Sequence, residues 1–236
     1  MTDPATIHLR PETDLAERVL LPGDPARALQ IAQSLLERPL MFNHHRGLWG
    51  YTGLAPDGEP LTVQSTGMGG PSAAIVLHEL IELGVRRAVR VGSCGALAPG
   101  LTLGELILAG RAIAADGTSR ALGAHEHASA DRPLTQALAD AAGVRAATVA
   151  STDLFYEPDA SRESAWRAAG AVAVEMEAAA LFTVGARRGV PVACLLAVSD
   201  LVGDEHRARI DDESLTRAGQ RMGAIAATAL ASLARR

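Results

Sequence analysis

Short apolar runs alternate with amphipathic stretches along most of the chain, the pattern of strands and helices taken in turn. Strand-like runs cover Glu17 to Leu21, Pro39 to Asn43, Gly47 to Leu54, Leu61 to Ser65, Val85 to Val91, Glu105 to Ala109, Val144 to Ala150, Val172 to Glu175 and Pro191 to Val198. Helical spacing runs from Pro25 to about Leu36, from the Gly67–Ser72 turn to about Leu83, over Leu134 to Ala142, through the Ala-rich stretch after Glu177, and over Glu213 to Leu233. Asp24 is placed to cap the first helix, and Pro25 falls in its first turn, where a missing N–H costs nothing. Pro56-Asp57-Gly58 reads as a turn. The polar segments Asp116 to Pro133 and Val202 to Asp212 read as irregular loops. The pattern predicts an α/β fold in three layers: a mixed central sheet flanked by helices on both faces, in one domain over residues 1–236.

Composition narrows the function classes. Hydrophobic residues make up 48% and aromatic ones only 3%, which suits small side chains at close helix–sheet contacts. The net charge of −5 provides no basic field for nucleic acid. Cys94 and Cys194 sit in apolar runs and read as buried thiols in a reducing compartment, not as a disulfide framework. No apolar run approaches the ~18 residues of a membrane span. With no basic-then-apolar leader after Met1, the expectation is a cytoplasmic protein that binds no membrane.

Candidate chemistry gathers at the ends of the strands. Glu175 and Glu177 stand two apart where a strand meets a helix, so both can face one pocket. Ionised carboxylates only accept hydrogen bonds, and the 2'- and 3'-hydroxyls of a ribose offer two donors. The turn Pro22-Gly23-Asp24-Pro25-Ala26-Arg27 presents a helix N-terminus and an arginine to an anion. Arg90 and Ser93 end another strand, where ligands bind in open α/β sheets. Phe155 and Tyr156 form a possible stacking platform for a base. Thr66-Gly67-Met68-Gly69-Gly70-Pro71-Ser72 is only superficially like a dinucleotide fingerprint: Ser72 stands where the third glycine is needed, and no later acidic residue falls at the required distance. His125 and His127 lack an evident third ligand, so no metal site is expected.

Read together, Pro22 to Arg27, Arg90-Val91-Gly92-Ser93-Cys94-Gly95, Asp153-Leu154-Phe155-Tyr156, Val174-Glu175-Met176-Glu177-Ala178-Ala179 and Ser199-Asp200 resemble the purine nucleoside/uridine phosphorylase family in order and spacing. The resemblance implies phosphorolysis of a nucleoside to free base and ribose 1-phosphate, with inorganic phosphate as co-substrate and no metal or organic cofactor. It implies phosphate ligands at Gly23, Arg27, Arg90 and Ser93, with Arg46 and His8 reaching the phosphate and the ribose 5'-hydroxyl of a neighbouring subunit. Met176 and Glu177 would hold the ribose. Phe155, Val174 and Glu175 would line the base site, and Met68, Cys94, Gly95 and Ser199 would complete the nucleoside pocket. Asp200 would be the acid at the purine, assisted by Arg207 or Arg209. A hexamer built from dimers with shared active sites is the implied assembly.

Alternatives remain open at this level. A nucleosidase of the same fold would keep the Glu175–Glu177 region and lack the phosphate turn, and a nucleoside-binding protein without catalysis would keep the ribose site. A uridine phosphorylase would carry a Gln-x-Arg pair soon after the Phe-Tyr. Here that region reads Glu157-Pro158-Asp159-Ala160-Ser161-Arg162, although Ser65 to Ser72 and Asp116 to Ser119 look more like the uridine branch.

Overall fold

The computed structural model describes residues 6–201 and 208–234. β1 (Arg18–Leu21) is buried along its length. Asp24 then accepts a hydrogen bond from the Arg27 amide at 2.9 Å and starts α1 (Pro25–Leu35), with Pro25 in its first turn. β2 (Glu37–Asn43), β3 (Gly50–Leu54) and β4 (Pro60–Gln64) form an antiparallel meander. α2 (Gly69–Glu82) leads to β5 (Arg87–Ala96) and β6 (Leu106–Ala115).

The expected loop from Asp116 to Pro133 is in fact structured. Asp116 is buried and caps α3 (Gly117–Ala121) through the Ser119 amide, while β7 (His127–Ser129) pairs with β6. A five-residue helix carries too little periodicity to be read from its sequence. α4 (Arg132–Ala142) and β8 (Ala146–Thr152) follow as expected. α5 (Ala160–Ala168) escaped the pattern, because Trp166 is the residue it buries. β9 (Ala171–Glu175), α6 (Ala178–Arg188), β10 (Val192–Leu201), the short β11 (Ala208–Arg209) and α7 (Asp212–Ala234) complete the described chain.

The eleven strands form one mixed sheet. β1 lies parallel to β4 and β5, and β5 parallel to β10. β10 pairs with β6, β6 with β8, β8 with β9, and β9 returns to β5, so these five strands close on themselves. β5 therefore runs past the expected end at Val91. Its second half, Gly92 to Ala96, is held between β10 and β9 instead of turning away.

Alternation along the central strands builds two main cores, and a smaller cluster of Leu97, Ala150, Trp166 and Ala171 forms a third. Val19 and Leu21 of β1 enter the core under α2 and α6, and Leu20 enters the one under α1, α4 and α7. Cys194, Leu196 and Val198 of β10 face the first, while Ala193, Leu195 and Ala197 face the second. Both cysteines are buried and free. The three-layer mixed architecture thus agrees with the sequence reading. Among the described residues no helix is long and apolar enough to cross a membrane.

The start of the segment before β1 is held by one side chain, while the Arg10, Glu12 and Ala16 amides bond Asn43, the Phe42 carbonyl and Thr62. The Glu79 carboxylate on α2 accepts the amides of Ile7, His8 and Leu9 at 3.2, 3.0 and 2.7 Å and contacts the His8 ring at 2.6 Å. Burial pushes the Glu79 carboxyl up, but the His8 ring and these amides outweigh it and hold it below its ordinary value. A depressed carboxylate stabilises the fold above its unfolded pKa and loses that contribution as pH falls through the folded one. Glu79→Ala is therefore expected to free the segment around His8. Limited proteolysis should cut ahead of Leu15 in the variant at neutral pH, and in the parent only under acid conditions. Equal resistance of both proteins would contradict this.

Candidate active site

The carboxyl ends of β1, β4, β5, β8, β9 and β10 open into one cavity of about 380 Å³. It brings together Gly23, Arg27, Met68, Arg90, Ser93, Cys94, Gly95, Phe155, Val174, Glu175, Met176, Glu177, Ser199 and Asp200, all singled out from the sequence. Asp24, Pro25, Gly67, Thr152 and Leu154 also line it. Those were not singled out as site residues, though Asp24, Pro25, Gly67 and Leu154 stand within motifs that were and Thr152 directly precedes one, and proximity to the motif residues was the available signal.

Arg90 is the buried charge at the centre, 4% exposed. Its Nη2 donates to a Glu177 oxygen in a short ion pair. Nε and Nη1 are buried and have no hydrogen-bond partner. Glycines make room for the guanidinium. A Cβ on Gly92 would stand 3.0 Å from Nη2, and one on Gly23 would stand 3.8 Å from it and 3.3 Å from the Gly67 carbonyl. A side chain at Gly23 would fill the space in front of Arg90. Burial pulls the Arg90 pKa down, but the Glu177 and Glu175 carboxylates more than offset this and raise it. Arg27 lines the same cavity. Burial and the field of Arg90 hold it below its ordinary value, with Asp24 opposing. Two guanidiniums sharing one cavity with free N–H groups form a receptor for an oxyanion.

The two glutamates play different parts. Glu177 Oε1 accepts the Gly69 amide at 2.7 Å, and its other oxygen takes Arg90. Each oxygen keeps a further lone pair for a ligand hydroxyl. Glu175 is turned into the protein. Its Oε2 accepts the amides of Glu177 and Ala178, both at 2.8 Å, so it closes the first turn of α6, and its Oε1 takes the Ser151 hydroxyl. Ser151 in turn accepts the Ala179 amide at 2.9 Å. Burial and the neighbouring Glu177 charge push the Glu175 carboxyl upward, while Arg90 and these donors oppose the shift. Glu175 reaches the cavity wall, but its carboxylate is committed to holding the strand-to-helix junction.

Ser199 is an extra residue in β10: Val198 pairs with Cys94 and Asp200 with Gly95, so the strand bulges between them. A bulge re-aims side chains beside a site. The Ser199 hydroxyl donates to Asp200 Oδ2 at 2.7 Å. Burial and the charges of Glu175 and Asp200 push the Cys94 thiol far up, so it stays protonated and inert. Phe155 is half-exposed at the mouth, edge-on to the exposed Tyr156 at 5.1 Å, so the pair forms an accessible rim, not core packing. Met68, 86% exposed, also lines the cavity, at the start of α2.

Among the described residues, His8, Arg46 and Arg209 do not line the cavity. His8 is held by Glu79. Arg46 sits exposed in a short 3-10 turn, His45–Gly47, with a left-handed backbone at φ 59°. Arg207 lies outside the described residues. Arg209 is exposed and pairs across the ladder with Asp200. Among the described residues no cluster of three or more His, Cys, Asp or Glu side chains has the arrangement of a metal site.

The phosphorylase superfamily pattern matches residues 17–231. A protein of Clostridium novyi (strain NT) named purine nucleoside phosphorylase DeoD-type is 37% identical over 216 residues, 87% of this chain and 92% of that one. Like-named proteins of Geobacillus kaustophilus (strain HTA426) and Caldanaerobacter subterraneus subsp. tengcongensis are 38% and 39% identical, covering 85% and 80% of this chain and 89% and 84% of theirs.

The shared hydroxyl of Ser151 generates a test. Ser151→Ala leaves the buried Ala179 amide and one Glu175 oxygen without their partner, which is expected to cost about 1–3 kcal/mol. Thermal or denaturant unfolding measures this, and Ser151→Thr, which keeps the hydroxyl, should recover part of the loss.

Proposed function

The chain belongs to the phosphorylase superfamily, and from that premise we propose that it cleaves purine nucleosides with inorganic phosphate, releasing the free base and ribose or deoxyribose 1-phosphate. The observation that carries this reading is Arg90. A buried guanidinium whose Nε and Nη1 have no hydrogen-bond partner, beside a glycine-lined space and a second arginine, calls for an oxyanion, even with a Glu175 oxygen 3.8 Å from Nε. A hydrolytic enzyme has no use for such a receptor. The names of the relatives support the same reaction.

In this reading Gly23, Arg27, Arg90 and Ser93 hold phosphate beneath the anomeric carbon. Glu177 and Met176 hold the ribose, with the Glu177 carboxylate bridging the sugar and Arg90. Phe155 and Val174 line the base site, and Glu175 keeps the junction in place. A phosphate oxygen bonds to C1' as the C1'–N9 bond breaks, and the electron pair of that bond goes to the purine. Fixed charges in a water-poor site stabilise the separated charge. Asp200 delivers a proton to the imidazole nitrogen of the base. As a general acid Asp200 acts in its carboxylic-acid form, with the proton drawn from solvent. Arg207 is the proposed aid to that transfer.

The remaining parts are proposed on the same footing: one domain over residues 1–236, no cofactor beyond the co-substrate phosphate, a cytoplasmic location, and a hexamer with shared sites. His8 and Arg46 lie away from their own chain's cavity, and Met41 and Trp49 are exposed near Arg46. Both facts suit residues that serve a neighbour. Purine is favoured over uridine because Arg162 is committed elsewhere. It pairs with Glu157 at 2.7 Å and lies 5.4 Å over the Trp166 ring, which keeps this arginine from reading a pyrimidine.

Base release is expected only with phosphate present, and Arg90→Ala should weaken phosphate use by ~1.5–3 kcal/mol, the scale of a charge-assisted contact. Equal release in phosphate-free buffer would favour a nucleosidase. With phosphate and equal inosine, adenosine and uridine, a purine nucleoside should be consumed fastest. Asp200→Asn should slow that reaction by ~10²–10⁴-fold, the range of general acid catalysis. Fastest loss of uridine would overturn the purine assignment.

A further inference from the structure

α7 crosses α1 beside the cavity, and the two helices approach through glycines. Gly219 and Gly223 are both buried and stand one turn apart on α7. A Cβ on Gly223 would lie 2.8 Å from Ile31 Cγ2, whereas one on Gly219 would lie 3.2 Å from Cδ and 3.3 Å from Cγ of Arg27. The Arg27 stem therefore runs flat across the backbone of Gly219. Among the described residues its guanidinium has no hydrogen bond or ion pair to fix its direction. The path of the stem decides where the charge points.

We propose that Gly219 is a positioning residue for the phosphate site: the bare α-carbon leaves the groove along which Arg27 reaches the cavity. The inference rests on the reading of Arg27 as a phosphate ligand. Carbon atoms in contact sit at about 3.5–4.0 Å, so a methyl at Gly219 displaces the flexible stem by several tenths of an ångström and swings its charged end further. Helix propensity gives no reason for a glycine here, since alanine is the better helix former. Close helix packing alone does not explain it either, because the atoms in the way belong to a mobile side chain and not to the backbone of α1.

The test compares Gly219→Ala with the parent as full-length enzymes, varying phosphate at saturating nucleoside and then the reverse. The KM for phosphate should rise about fivefold, part of one charge-assisted contact, with the nucleoside KM held within about twofold. The thermal midpoint should hold or rise. On an Arg27→Ala background, Gly219→Ala should add nothing to the phosphate KM, because residues that act through one another are non-additive. Gly223→Ala, which meets Ile31 instead, should leave the phosphate KM unchanged. An unchanged phosphate KM in Gly219→Ala, an equal shift in both KM values, additivity with Arg27→Ala, the same effect from Gly223→Ala, or failure of Gly219→Ala to fold would each overturn the proposal. A parent enzyme that releases base without phosphate defeats the phosphorolysis reading instead, and that is measured before any variant.

Discussion

A guanidinium taken out of water must meet a carboxylate or lose several kcal/mol. Arg90 meets Glu177, and that ion pair joins parts of the chain that are far apart in sequence. β5 brings the arginine. The junction of β9 and α6 brings the glutamate, and the start of α2 adds the Gly69 amide to its other oxygen. Nη2 of Arg90 is held by Glu177, Nε lies 3.8 Å from Glu175, and Nη1 has no hydrogen-bond partner, so the pair that bridges the fold keeps donor capacity unused. The same contact that closes the fold leaves that capacity at the wall of the cavity.

Around that pair, positioning falls largely to backbone and small residues. Glu175 organises the junction by accepting two α6 amides, and Ser151 holds it from β8. Gly92 lets Arg90 fold back over its own strand, and Gly23 keeps the space in front of it clear. The extra residue Ser199 turns the end of β10 so that Asp200 lines the cavity. None of these features carries the chemistry. Each fixes a group that would otherwise have several rotamers, and preorganisation of this kind is what makes fixed charges effective.

The closed ring of β5, β10, β6, β8 and β9 explains why so many strand ends converge. An open sheet spreads its carboxyl ends along a line, whereas closing five strands gathers theirs around one mouth. The exposed rim residues Met68 and Phe155 come from two different elements, the start of α2 and the segment after β8.

Periodicity alone determined most elements, because central strands such as β1 and β10 feed two cores and each long helix one, and both habits leave regular marks. The alternation of Val19, Leu20 and Leu21 is one such mark, and the Asp24-Pro25 start of α1 is another. The chemistry at the strand ends was equally legible, since arginine and glutamate are costly to bury and stand out in apolar runs. What the sequence left open depended on partners distant along the chain. Gly92 to Ala96 reads as a turn until β9 and β10 hold it as strand. α3 and α5 bury too little to show a period. Glu175 and Glu177 are the same residue two positions apart, and nothing local says that one will cap a helix while the other meets Arg90. That division is made by Ser151 on one side and Gly69 and Arg90 on the other, because a carboxylate's role is set by which donors reach it, and only the tertiary structure brings those donors within reach.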